Sequence, residues 1–129
     1  MSDTPLVVTA AVVERDGRFL VTRRQADVHL AGHWEFPGGK VEPGESHADG
    51  LRREMREELE TDVAVGAKIL TVPHAYPDRT VELHFYACEL CGEPAPRLGQ
   101  EMRWVTRDEM RALPFPPADE ALIRKLIAG

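Results

Sequence analysis

Three glutamates, Glu54, Glu57 and Glu58, recur at spacings of three and four residues within the segment 47–59. On a helix turning about 100° per residue they fall within one arc of roughly 100°, so their carboxylates share a face. Like charges at this spacing repel by about 0.2–0.5 kcal/mol per pair, and a divalent cation reverses the sign. The donors are all hard oxygens and no histidine shares the face, which suits Mg²⁺ or Mn²⁺ over Zn²⁺. The interleaved Arg52, Arg53 and Arg56 also fit a simpler reading, an exposed helix laced with salt bridges. What favours chemistry is the preceding Pro37-Gly38-Gly39-Lys40-Val41-Glu42-Pro43-Gly44-Glu45, where glycines let backbone carbonyls approach a ligand unobstructed. Loop and helix together suggest a metal–phosphate site.

A second candidate is weaker. Cys88 and Cys91 form a lone Cys-x-x-Cys, readable as half a zinc site or a redox pair, but no second cysteine pair completes it. His74 and His84 would join only by an accident of the fold, so two ordinary cysteines near a strand end is the simpler reading.

The elements that must position the glutamates follow from pattern. Residues 6–13 are almost wholly apolar and β-branched, Asp16-Gly17 signals a tight turn, and 19–22 continues as a second strand. Residues 25–45, rich in glycine and proline, read as a long loop. Ser46 and Asp49 resemble a capping box opening a helix over 47–59, with Ala48, Leu51, Met55 and Leu59 as its apolar stripe. Gly50 weakens that helix unless something packs closely against it. Strands are expected over 63–72, 80–88 and 102–105. Thr106-x-x-Glu109 opens a short helix before Pro114, and an amphipathic helix covers 118–128. Strands before and after a central helix give an α+β layout.

The chain has 129 residues, 43% hydrophobic and 29% charged, as expected for one globular domain over 1–129. Its formal charge of −6 argues against a general electrostatic grip on nucleic acid or an anionic membrane, so a polyanionic ligand needs a metal or a local basic patch. The start, Met1 to Pro5, lacks the basic and apolar regions of a signal peptide, and no apolar run approaches spanning length. A cytoplasmic protein is the expectation.

The stretch 39–61 resembles the signature of the Nudix hydrolases, Gly-x5-Glu-x7-Arg-Glu-U-x-Glu-Glu-x-Gly-U with U a bulky aliphatic residue. Gly39, Glu45, Arg53, Glu54, Met55, Glu57 and Glu58 fit it, while Glu60 and Thr61 depart at the final glycine and aliphatic positions. That glycine normally ends the helix in a left-handed conformation, so the departure bears on the helix end more than on the chemistry. Thr22-Arg23-Arg24, Trp34-Glu35-Phe36-Pro37, Tyr76-Pro77-Asp78-Arg79, Gly99-Gln100-Glu101 with Trp104, and Phe115-Pro116-Pro117-Ala118-Asp119 extend the resemblance to the MutT-like branch over nearly the whole chain.

The resemblance implies an α/β/α sandwich, a mixed β-sheet between helices. It implies metal ligands at Glu54, Glu57, Glu58 and the Gly38 carbonyl, with Glu101 as a further acid and Leu98 standing where some relatives place theirs. Glu54 would orient or deprotonate the attacking water, Glu45 and Arg53 would support the site as an ion pair, and Lys40 or Arg24 would meet phosphate. Phe36, Asp78 and Asp119 would select the base, with His29 and Leu83 as lining, whereas Trp34 reads as packing. The implied reaction is Mg²⁺-dependent cleavage of a nucleoside triphosphate to monophosphate and pyrophosphate, by a monomer or homodimer that cleans the nucleotide pool and so protects DNA. For Asp119, relatives that read oxidised guanine have asparagine. A carboxylate accepts from guanine N1–H and N2–H and so fits 8-oxo-dGTP; when protonated it fits CTP, dCTP or a 5-substituted dCTP. It also serves as a plain helix cap. A non-catalytic nucleotide-binding module remains the alternative of another class, although such modules lack one or more of these glutamates.

Overall fold

The computed structural model describes residues 4–23 and 32–128. Strands β1 (Leu6–Arg15) and β2 (Arg18–Arg23) form the expected hairpin, and Asp16 and Gly17 both take positive φ, 54° and 75°, as a two-residue turn of right-handed twist requires. β6 (Arg79–Leu90) runs parallel to β1 and antiparallel to β5 (Val63–Tyr76), while β7 (Met102–Val105) pairs with β2. The path across the sheet is β3-β2-β1-β6-β5.

Within the expected loop 25–45 lie two very short strands, β3 (Trp34–Glu35) on β2 and β4 (Gly38–Lys40) on the first half of β1. β5 runs four residues beyond the expected 63–72, because an edge strand tolerates Pro73. It also shifts register twice, between Val65 and Lys68 and between Lys68 and Leu70.

Helix α1 (His47–Leu59) has the expected bounds. Ser46 Oγ accepts from Asp49 N at 3.1 Å, but Asp49 turns to Arg52 at 2.9 Å, so the capping box is half made. The full box appears on α2 (Arg107–Ala112), between Thr106 and Glu109. The last helix begins as a 3-10 turn, Pro117–Asp119, and becomes α-helical only as α3 (Glu120–Ala128).

Alternation on the strands assigns the two faces. Ala11, Val13, Leu20 and Cys88 pack with Leu51, Met55 and Leu59 of α1. Ala10, Val12, Phe19, Phe85 and Val105 pack with Met110 of α2, Ala118 of the 3-10 turn and Leu122 of α3. The result is the expected sheet between helices. Trp34 is buried and lies under Arg23 and Arg103, whose guanidinium carbons sit 6.0 and 5.4 Å from its ring centre, which makes it packing. Among the described residues no helix is long and apolar enough to cross a membrane.

At the end of α1, Glu60 takes φ 53°, ψ 32°, the left-handed conformation usual for glycine there, and its N–H bonds Arg56 O at 3.1 Å. That conformation costs an L-residue about 1–2 kcal/mol, of which glycine's extra freedom in the unfolded chain returns about 0.5–1. Glu60→Gly is therefore expected to stabilise the protein by about 0.5–1 kcal/mol in urea unfolding. A lower midpoint would show that the Glu60–Arg97 ion pair, at 3.0 Å, outweighs the strain.

Candidate active site

The site begins with two glycines. A Cβ on Gly38 would drive into the Thr9 carbonyl of β1, and one on Gly39 would overlap the carboxyl of Glu54. Only glycine lets the loop lie between β1 and α1 with its backbone against the glutamates. Gly50 is explained the same way, since a Cβ there would stand 3.0 Å from Glu45 Oε1. Glu45 itself is drawn in by Arg53.

Arg53 is the hub. Its Nε and Nη2 grip Glu45 at 2.7 and 3.0 Å, Nη2 also reaches the Lys40 carbonyl at 3.0 Å, and Nη1 reaches Glu54 at 3.0 Å and Glu57 at 3.3 Å. The fork hydrogen-bonds Glu45 and holds its carboxyl down at about 2, helped by the Glu42 N–H.

The carboxylates of α1 show the opposite effect. Burial pushes Glu54 upward against the pull of Arg53. Glu58 is pushed up to about 8, first by burial and then by the charges of Glu54, Glu35 and Glu57, with the Gly38 N–H, 3.2 Å away, partly opposing. Glu57 is the exposed member. A sunken carboxylate facing three other acids calls for a cation, and the oxygen-only donor set fits a hard divalent ion. Among the described residues no three His, Cys, Asp or Glu side chains stand drawn together around one point. Glu54 and Glu57 lean on Arg53 instead, so chelation requires them to turn from the guanidinium toward the ion.

Beside this cluster, across Gly38 and Gly39, opens a cavity of about 630 Å³ on the other face of the sheet. It is lined by Phe36, Lys40, Asp78, Leu83 and Asp119 from among the residues nominated above, and by Glu35 and Arg79, which the sequence reading did not nominate. Asp119 is only 5% exposed, Asp78 and Arg79 stand at the exposed rim, and Phe36 is wedged between Phe115 and Phe85, with ring centres 5.7 and 6.1 Å away. Arg24 and His29 lie outside the described residues.

The structure places Glu101 on Arg23, at 2.9 Å, and Leu98 is exposed. The acid whose charge reaches Glu58 from outside α1 is Glu35. Its signal was the alternation of buried Trp34 and Phe36, which turns the residue between them to the other side. Gln100, also passed over, bonds the Glu58 carbonyl at 3.1 Å and ties the last loop to α1. The cysteines do no comparable work. Burial pushes the Cys88 thiol up to about 11, Cys91 is exposed, and both are free. His84 commits its ring nitrogens to Glu82 and Thr71.

The family pattern described as the NUDIX domain matches residues 8–125. The chain belongs to the Nudix hydrolase family. Its Nudix relatives include the CTP pyrophosphohydrolase of Escherichia coli (strain K12), 37% identical over 94% of this chain and 90% of that protein. The 8-oxo-dGTP diphosphatase of the same organism is 34% identical over 93% of this chain and 94% of that one. Among solved structures, that of the E. coli ORF135 protein superposes with a TM-score of 0.87 at 36% identity, covering 97% of this chain and 90% of that one. The chain is accordingly a Nudix enzyme with the mixed sheet and flanking helices of its relatives, and the family generally works with a divalent metal.

Proposed function

We propose that the chain cleaves a nucleoside triphosphate to the monophosphate and pyrophosphate with Mg²⁺, or Mn²⁺ in its place, and that 8-oxo-dGTP is the preferred substrate. The observation that carries the reading is a buried acid, Asp119, in a nucleotide-sized cavity whose glycine edge abuts a strained carboxylate cluster. Glu54, Glu57, Glu58 and the Gly38 carbonyl hold the metal, which when bound neutralises phosphate charge and acidifies water. Glu54 orients the attacking water and takes its proton. As the water oxygen bonds a phosphorus of the anhydride, that phosphorus–oxygen bond breaks and its oxygen leaves with the electron pair, which gives the monophosphate and pyrophosphate. Lys40 meets phosphate oxygens, and Glu45 keeps Arg53 in place. Charge neutralisation and alignment supply most of the rate. Asp119 and Phe36 receive the base, and an ionised Asp119 accepts guanine N1–H and N2–H together. The protein acts as one Nudix domain in the cytoplasm, cleansing the nucleotide pool as a monomer or homodimer.

A cytosine nucleotide is the second reading, favoured by the 37% identity to a CTP pyrophosphohydrolase. A panel of oxidised, methylated and normal dNTPs with CTP, scored by pyrophosphate release with Mg²⁺, separates the two. 8-oxo-dGTP is expected to rank first; CTP or 5-methyl-dCTP at the top would establish the second reading, and no release from any member would sink both. Asp119→Asn is expected to reorder the ranking by about 10-fold or more in kcat/KM, because an amide both donates and accepts. An unchanged order would leave Asp119 as a helix-end residue only.

A further inference from the structure

Strand β1 carries a buried polar group with no use in the scheme above. Thr9 is fully buried, and its Oγ1 meets no hydrogen-bonding partner. Such a hydroxyl costs free energy unless something satisfies it.

Of the two strand positions that flank it, one offers a candidate. Thr9 alternates with Ala11 and Val13, which face α1, so its side chain faces α1 as well. On that face the register sets Gly39 of β4 on one side and His84 of β6 on the other. His84 is already engaged, Nε2 with Glu82 at 2.6 Å and Nδ1 with Thr71 at 3.3 Å. Gly39 has no side chain, and the Glu54 carboxyl fills its place, with Oε2 2.6 Å from where a Cβ would stand. Residues opposite each other on antiparallel strands project side by side, Cβ atoms about 5 Å apart. The Thr9 side chain and the Glu54 carboxyl, whose Oε1 stands 2.7 Å from the same point, are thus neighbours across this register pair. Glu54 Oε1 accepts from Arg53 at 3.0 Å, whereas Oε2 has no donor among the described residues.

We infer that Thr9 is a positioning residue for Glu54, its hydroxyl donating through one buried water to Oε2. Arg53 holds one carboxylate oxygen and Thr9 the other, which fixes the plane of the group and aims its free lone pairs at the metal and the attacking water. The inference rests on the role given to Glu54 above.

Two variants of the full chain test it, Thr9→Val, which keeps the shape and loses the hydroxyl, and Thr9→Ser, which keeps the hydroxyl. In the metal-free protein Thr9→Val is expected to melt close to the wild-type temperature, since the loss of one water-mediated bond is offset by the removal of a buried hydroxyl. Its Mn²⁺ dissociation constant, followed by calorimetry, is expected to rise about tenfold, and kcat to fall about tenfold with KM changed less than about twofold. Thr9→Ser should recover both to within about threefold. A valine variant with wild-type Mn²⁺ affinity and kcat overturns the inference. So does a serine variant as impaired as the valine one, or a valine variant that melts well below wild type, which would make the hydroxyl structural. The Mn²⁺ arm needs no substrate. A wild-type chain that binds Mn²⁺ yet cleaves no triphosphate therefore overturns the substrate reading alone, while one that binds no Mn²⁺ overturns the metal reading and this inference together.

Discussion

Glutamine in place of Glu58 is expected to lower kcat by more than about a hundredfold while making the metal-free protein more stable at alkaline pH. Groups one step removed from a metal already cost about 10–100-fold when replaced, and Glu58 is proposed above as a direct ligand. The stability gain follows from the sign of its shift. Burial and the surrounding acids raise the carboxyl from its ordinary 4.5 to about 8, so the folded chain holds a proton that the unfolded chain has lost. Without metal, wild-type stability therefore falls as pH rises from about 4.5 through about 8, and Glu58→Gln escapes that fall. The two unfolding curves should agree below pH 4.5 and separate above it, with the variant higher at pH 8.5. Saturating Mg²⁺ should reverse the order, because it stabilises only the chain that binds it. Mg²⁺ affinity of the wild type should itself climb with pH up to about 8, as the ion displaces the proton. Superimposable curves over the whole range, or wild-type turnover in the variant, would remove Glu58 from the site.

Arg53→Lys is the second large effect, expected to lower kcat about a hundredfold despite the conserved charge. The guanidinium meets Glu45 through two nitrogens and at the same time the Lys40 carbonyl, Glu54 and Glu57. An ammonium is a point charge and cannot span them, and misplacement of catalytic groups by about 1 Å is enough for a hundredfold loss. A pH readout accompanies the kinetics. Glu45 is held down at about 2, so its contribution to stability is complete above 4.5 and lost as pH falls from there toward 2. The lysine variant should lose stability on acidification over a narrower span, ending nearer 4. Wild-type kcat with an unchanged acid-unfolding curve would show that the hub is dispensable.

The spacing of Glu54, Glu57 and Glu58 and the bounds of α1 were legible in the sequence because a 3.6-residue period and a capping serine are local signals. β3 and β4 were not, because strands of two and three residues carry no period and their glycines read as loop. The four extra residues of β5 begin with Pro73, which pattern reading treats as a breaker and the edge of the sheet accepts. In the site, Phe36, Lys40, Leu83 and Asp119 were legible by resemblance and share one cavity. Thr9 was not, since its meaning comes from β1, β4 and α1 meeting in space, and Glu35 was signalled only by the alternation of Trp34 and Phe36 around it. Glu60 is a mixed case: the departure was visible, whereas only the backbone shows that the left-handed end survived without its glycine.

The grip of Arg53 on Glu45, Glu54 and Glu57 means that α1 carries its own counterion. Many small metal-binding domains fold only when loaded, and their abundance in a cell then follows the metal supply. Here the guanidinium offsets the repulsion among the acids of α1 before any ion arrives. A fall in the free divalent metal would then idle this protein without exposing it to proteolysis, and activity would return as soon as the ion did, with no new synthesis.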